Sequence, residues 1–283
     1  MATSTDQAKA HFSSPIRLGG KDNGLAYHIF NAEGTESIIF LHGAGTGAPE
    51  WDIIIPHFSK HYHLLVPDLP LHNKSTDVEL DDAAKDTGDL LRDLIKSEAK
   101  QGQVHVVGLS LGAYIGRRLA VQCPEVVRTC FLSGFNRVDI DWLPLPLRKC
   151  LPHLVYGVEY VGSKIPRNWV DGIEHTDNCT TSHNFSHFKK IWALIDDEDM
   201  RDKAWRARTL MVAGTKGGLI PTNDSIKDAQ YLASLAHQEN SETIAVQNKT
   251  MRHAWNRQDP KLFAEAVMCW IESKPLPKGF EPI

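Results

Sequence analysis

Gly108-Leu109-Ser110-Leu111-Gly112 is the stretch of this chain best suited to chemistry. It is a G-x-S-x-G pattern set between an apolar β-branched run, Val104-His105-Val106-Val107, and a helical pattern over 111–122. A serine held in a sharp strand-to-helix turn adopts a strained backbone conformation, and glycines two residues to either side let strand and helix pass closely. The turn lifts Oγ clear of the sheet, and the helix that follows aims its positive end at the same place. Such a serine is a candidate nucleophile, provided that a base lies within hydrogen-bond reach. The 14 histidines are candidate metal ligands too. His61 and His63 fall on one face of an expected strand, and His183 and His187 are four apart. Neither pair has the glutamate of a zinc-protease helix or a carboxylate cluster, so neither a metal nor a cofactor is expected.

A serine placed above a sheet needs the sheet. Strand-like runs cover 25–30, 37–41, 63–67, 104–109, 127–132, 209–213 and 243–247. Helical patterns cover 50–60, 81–100, 111–122, 223–238 and 260–274. Several strands are continuous Val/Ile/Leu runs, as expected of parallel strands covered on both faces. Asp259-Pro260 reads as an N-cap followed by proline at the first helical position. Repeated β-then-α units predict an α/β fold, a doubly wound and mostly parallel sheet.

One stretch breaks the alternation. Between Ser133 and about Arg208 the chain is rich in proline and aromatic residues and too long for a loop. It predicts an inserted, mostly helical lid over 135–205, with 1–134 and 206–283 forming the core. Trp142, Tyr156, Trp169 and Trp192, with their apolar neighbours, would wall a pocket for a medium-sized hydrophobic small molecule. The alternative is that these rings pack a small core of the lid's own.

Composition narrows the class. At 283 residues and 42% hydrophobic content, the chain can bury one large core. A net charge of -4 gives no reason to expect nucleic acid. No run approaches the ~18 apolar residues of a membrane span. The polar start, Met1 to Gln7, reads as lacking a secretory signal. Cys123, Cys130, Cys150, Cys179 and Cys269 are odd in number and lack metal or redox spacing. They read as free thiols in a reducing compartment, and a cytoplasmic location is expected.

Three further segments complete a pattern. Phe40-Leu41-His42-Gly43-Ala44-Gly45 ends the 37–41 strand, Asp68-Leu69-Pro70-Leu71-His72 follows the next strand, and Arg252-His253-Ala254-Trp255 lies between the last strand and the last helix. With 108–112 they resemble, in order, the α/β-hydrolase superfamily over about residues 25–273, in particular its lid-bearing esterase, epoxide hydrolase and lyase-type members. The stretch 255–263 and the tail are similar to stand-alone hydrolase-like proteins of fungal secondary metabolism.

The resemblance implies the α/β-hydrolase fold and a set of roles. Ser110 would be the nucleophile and His253 its base. The backbone N–H groups of Ala44 and Leu111 would form an oxyanion hole, worth roughly 3–4 kcal/mol per donor in comparable sites. His42 could contact substrate, although a structural role in the His-Gly turn competes. Asp68 and His72 are expected to hold the loop after their strand. The usual epoxide hydrolase is disfavoured, because it needs a carboxylate where Ser110 stands.

The acid is harder to place. The family pattern after the 209–213 strand is Gly, two residues, then Asp, and this chain has Gly217 where that Asp belongs. The alternative position, Ser133-Gly134-Phe135-Asn136, also lacks a carboxylate. Asp224 comes seven residues late, at an expected helix start where a capping role competes. Asp139, Asp141 and Asn136 are further candidates. Exchanging the acid for its amide costs on the order of 10⁴ in kcat in serine proteases. Three readings follow. One is hydrolysis of an ester, thioester or lactone through an acyl-Ser110. Another is a lyase, isomerase or cyclase using Ser110 and His253 for proton transfer, which an empty acid position would favour. The third is a non-catalytic ligand receptor.

Overall fold

Alternate residues of the inner strands go to opposite faces of a single sheet, and each face has its own apolar layer. In strand β3, Ser37–Leu41, Ile39 and Leu41 join one buried cluster while Ile38 and Phe40 join the other. In β5, Val104–Leu109, Val104 and Val106 divide from Val107 and Leu109 in the same way. This two-residue period is the geometry of a strand buried on both sides. The computed structural model describes residues 8–135, 150, 153, 156–157, 185–195, 200, 202–217 and 224–283.

The other strands are β1 (Ile16–Arg17), β2 (Ala26–Phe30), β4 (His63–Pro67), β6 (Val127–Ser133), β7 (Arg208–Gly214), β8 (Ile244–Asn248) and β9 (Glu281–Pro282). They form one sheet in the order β1-β2-β4-β3-β5-β6-β7-β8-β9. β3 to β8 run parallel, and β1, β2 and β9 pair antiparallel at the edges. Helices α2 (Ala83–Glu98), α3 (Leu111–Gln122) and α5 (Ile226–His237) bury Leu91, Ile115 and Leu232 on one face. Helices α1 (Ile55–Phe58), α6 (Trp255–Gln258) and α7 (Pro260–Ile271) bury Phe58, Trp255 and Phe263 on the other. The fold is therefore the doubly wound α/β arrangement expected, the α/β-hydrolase fold. Asp259 caps α7 by accepting from the Leu262 N–H, with Pro260 in the first turn, as the sequence predicted.

Two expectations are revised. The helix expected over 50–60 is a 3₁₀ turn, Ala48–Trp51, followed by the short α1. Pro49 and Pro56 lie in their first turns, and a proline without an N–H cannot continue a ladder from the turn before it. Helix α4, Phe185–Ile195, falls within the expected lid, yet it packs on α2 and α3 and puts Ile191 and Leu194 into the main core. The Lys190 ammonium ties it down by donating to the Leu80 carbonyl at 3.0 Å. No helix among the described residues is long and apolar enough to cross a membrane.

Several histidines are buried in this frame, and they set an acid limit. Burial pushes His105 down to about 4, and it holds His28, His42 and His63 below the ordinary imidazole value too. His105 is 5% exposed and its Nδ1 sits 2.9 Å from Thr129 Oγ1. Unfolded, each ring titrates near ~6.5, so below that pH the unfolded chain takes up protons that the folded chain resists. The stability these rings lend is full above pH ~6.5 and is lost as pH falls toward 4, by up to roughly 3 kcal/mol for His105 alone. Urea unfolding across this range should show His105→Asn flattening the loss by about 1.4 kcal/mol per pH unit. An unchanged slope in that variant would show that His105 is not a source of it.

Candidate active site

Ser110 connects β5 to α3 with φ 54° and ψ −121°, a left-handed backbone conformation that costs a non-glycine residue about 1–3 kcal/mol. The surroundings enforce it. The Ser110 N–H donates to the Ser133 carbonyl at 2.8 Å, and the Ser110 carbonyl accepts from the Ala113 N–H at 2.8 Å. A β-carbon on Gly108 would lie 2.4 Å from the Gly112 carbonyl oxygen, and one on Gly112 only 1.9 Å from the Leu41 carbonyl oxygen. The two glycines are thus required by contact between strand and helix. As the first residue of α3, Leu111 has an N–H without an intrahelical acceptor, beside the serine.

His253 follows β8 and is half-buried. Its Nδ1 lies 2.6 Å from Oδ1 of Asp224, whose side chain is 1% exposed. The other carboxylate oxygen, Oδ2, accepts from the Gly214 N–H at 2.8 Å, and the Asp224 N–H donates back to the Gly214 carbonyl at 2.9 Å. These reciprocal bonds hold Asp224 against the end of β7, ten residues further along the chain. The capping role weighed for Asp224 belongs to its neighbour instead: the Ser225 side chain caps α5 by accepting from the Asp228 N–H at 3.2 Å. Among the described residues, nothing lies within 4 Å of where a side chain on Gly217 would start. The other acid candidates, Asn136, Asp139 and Asp141, lie outside the described residues.

Gly134 joins the two halves. Its φ is +80°, and a β-carbon there would sit 2.7 Å from His253 Cε1 and 3.1 Å from the Ser110 nitrogen. The imidazole and the elbow therefore close on a position that only glycine can occupy. Trp255, fully buried, fixes the histidine segment by donating from its indole N–H to Ser133 Oγ at 2.8 Å. Gly134→Ala should raise the backbone energy by about 1–2 kcal/mol and displace the ring, and a misplacement near 1 Å costs about 10²-fold in rate. Turnover measured beside the thermal midpoint tests this, and full activity would refute it.

The turn after β3 completes the surroundings. A β-carbon on Gly43 would lie 3.5 Å from Ser110 Cβ, so 42–46 borders the serine, with the half-buried Ala44 inside that turn. His42 is corrected as a substrate contact. It is fully buried, its Nδ1 lies 2.8 Å from the Gly43 carbonyl, and its Nε2 accepts from the Leu69 N–H at 2.9 Å. Both ring nitrogens therefore face backbone, and burial holds its pKa down. Asp68 likewise serves the loops: it accepts from the Ala48 N–H at 2.7 Å and the Asn73 side chain at 3.0 Å.

The aromatic expectations divide. Trp142 and Trp169 lie outside the described residues. Tyr156 meets Phe185 and Phe188, each at 5.4 Å between ring centroids, and Trp192 meets Phe188 at 6.0 Å. These rings therefore touch one another. Beside the elbow the pair is instead Tyr114 and Phe135, with centroids 4.0 Å apart. Tyr114 is one helical turn beyond Ser110 and Phe135 follows Gly134, but neither lies in a motif that would have singled it out. Glu50 is also unmarked in the sequence, yet its buried carboxylate accepts from the Gly43 N–H at 2.9 Å.

Comparison with known proteins gives the same frame. A sequence model described as the alpha/beta hydrolase family matches residues 38–266. An AB hydrolase superfamily protein of Gibberella zeae is 36% identical over 255 residues, covering 88% of this chain and 85% of the relative. An (E)-2-((N-methylformamido)methylene)succinate hydrolase of Acinetobacter baylyi is 24% identical over 279 residues, covering 90% of this chain and 97% of the relative. Among solved structures, a hydrolase from Pseudomonas aeruginosa superposes with a TM-score of 0.67 at 19% identity, covering 89% of this chain and 96% of that one, a likeness of fold. The matched span runs from β3 through the elbow and the histidine loop into α7, and the chain belongs to the alpha/beta hydrolase family.

Proposed function

We propose that this enzyme hydrolyses an ester, thioester or lactone of a medium-sized hydrophobic substrate through an acyl-Ser110 intermediate. Asp224 Oδ1 accepts the Nδ1–H of His253, which makes Nε2 the basic nitrogen of the ring. Ser110 Oγ bonds to the acyl carbon as Nε2 takes its proton, and the carbonyl oxygen becomes an oxyanion facing the Ala44 and Leu111 N–H groups. The leaving oxygen or sulfur departs with the proton from Nε2. Water then gives a proton to Nε2 and its oxygen to the acyl carbon, and Ser110 Oγ recovers the proton as the acid leaves. The observation that carries this reading is the 2.6 Å contact between Asp224 and His253. It supports Asp224 as the acid, and with an acid in place the case for a lyase, isomerase or cyclase weakens. Tyr114 and Phe135 offer apolar surface beside the serine, and the proposed lid within 135–205 would supply the rest of the pocket.

Intact mass after exposure to an alkyl fluorophosphonate tests the reading. One adduct is expected on the wild-type chain and none on Ser110→Ala. A folded wild-type protein that takes no Ser110-dependent adduct would sink the acyl-enzyme mechanism.

A further inference from the structure

We propose that Glu50 is a positioning residue whose buried carboxylate clamps the 42–46 turn to the start of α6, setting the Ala44 N–H and His253 in register around Ser110. This rests on the Ser110 reading above. Glu50 is 6% exposed and lies on the 3₁₀ turn after β3. Its Oε2 accepts from the Gly43 N–H at 2.9 Å and lies 2.5 Å from the Thr46 hydroxyl. Its Oε1 accepts from Asn256 Nδ2 at 3.4 Å. Asn256 is fully buried and stands three residues after His253. One carboxylate thus holds donors from two segments far apart in the chain, one adjoining Ala44 and the other, 206 residues from Glu50, carrying His253.

The residue type follows from the donors. A carboxylate offers two acceptor oxygens, and here backbone N–H, hydroxyl and amide converge on them. Burying so polar a group is costly, and an apolar side chain of similar volume is often the more stable choice. A purely structural need would not favour it. A second tie runs in parallel: Arg257 Nη1 donates to the Glu50 carbonyl at 2.9 Å and to Asp52 Oδ1 at 2.7 Å, which brings a cation to the same junction. The Gly43 N–H that Glu50 holds belongs to the residue before Ala44, and the Gly43 α-carbon faces Ser110. Loosening this clamp leaves every reacting group present but lets the oxyanion donor and the histidine drift apart.

The consequence is a loss of rate without a loss of binding. Removing one oxyanion donor outright costs ~10²–10³ in rate, and misplacement near 1 Å about 10². Glu50→Ala should lower the maximal fluorophosphonate inactivation rate about 30-fold, with the probe's half-saturation concentration within about twofold of wild type. Asn256→Ala, which frees one end, should lower it about tenfold. Glu50→Gln should recover to within about threefold of wild type. Its amide oxygen can keep Gly43 and Thr46, and its NH₂ can reach Asn256 Oδ1, a buried acceptor with no hydrogen-bond partner among the described residues. If Glu50→Ala does not fold, Asn256→Ala and Glu50→Gln carry the test. Wild-type inactivation rates in folded Glu50→Ala or Asn256→Ala would overturn the clamp and leave the Ser110 reading standing. Glu50→Gln as slow as Glu50→Ala would also overturn it, since charge and not the shared hydrogen bonds would then be what matters. No Ser110-dependent labelling of the wild type would overturn the reading of the site, and the clamp with it.

Discussion

Asp224→Asn should cost about 10⁴ in kcat while leaving KM and the fold nearly unchanged. The reason lies in how the amide must orient. Oδ2 of Asp224 accepts the Gly214 N–H, and an asparagine must keep its oxygen there or bury two donors against each other. Its NH₂ then faces His253 Nδ1, 2.6 Å from the present Oδ1. That nitrogen must now accept, which places the ring proton on Nε2, where it blocks uptake of the serine proton. Stability changes little because the bond to Gly214 survives. Steady-state rates on a p-nitrophenyl ester, read beside the thermal midpoint, measure both halves. A variant that keeps a tenth or more of wild-type kcat would mean that Asp224 is not the acid of this site.

Gly112→Ala should be the most damaging single methyl addition at the elbow. The new β-carbon would fall 1.9 Å from the Leu41 carbonyl oxygen and 2.4 Å from its carbon. These are backbone atoms of a central strand that is hydrogen-bonded to β4 and β5 and cannot swing aside as a side-chain tip would. Helix α3 would have to lift from the sheet, opening the packing of Ile115 and Leu119 below it. Overpacking of a core usually costs 1–3 kcal/mol, and the rigidity here puts the loss at about 3 kcal/mol or more. For a chain of this size that lowers the thermal midpoint by roughly 6–10 °C. A variant melting within a degree of wild type would refute the contact. Gly217→Ala, whose new β-carbon would meet no described atom within 4 Å, is the matched control and should melt like wild type.

The two glycines and the late aspartate show how differently parts of the site are written in the chain. The elbow is local. Gly108, Ser110 and Gly112 lie between a β-branched run and a helical pattern, a five-residue signature, although the carbonyl that excludes a side chain at Gly112 belongs to Leu41 in another strand. The strands are legible for a similar reason: a strand buried on both faces must be apolar along its length, and each of the seven runs falls within a residue or two of an observed strand.

Helix α4 was not legible as part of the core. Its apolar face needs a partner, and only the folded chain shows that α2 and α3 provide it. His42 was ambiguous because a histidine in a tight turn can face either solvent or backbone. The decision fell to the Leu69 N–H, supplied by a different loop.

By itself, the sequence determined the doubly wound sheet, and it marked the candidate nucleophile and the segment carrying its histidine, because each is written as a pattern within one strand or one turn. The tertiary structure alone brought Asp224 to His253 and Glu50 to Asn256. Asp224 reaches the histidine because reciprocal bonds pin it to Gly214 at the end of β7, a contact that the spacing between the two residues does not announce. Glu50 meets Asn256 only because β3 and the loop after β8 end on the same side of the sheet, a proximity that no local pattern records.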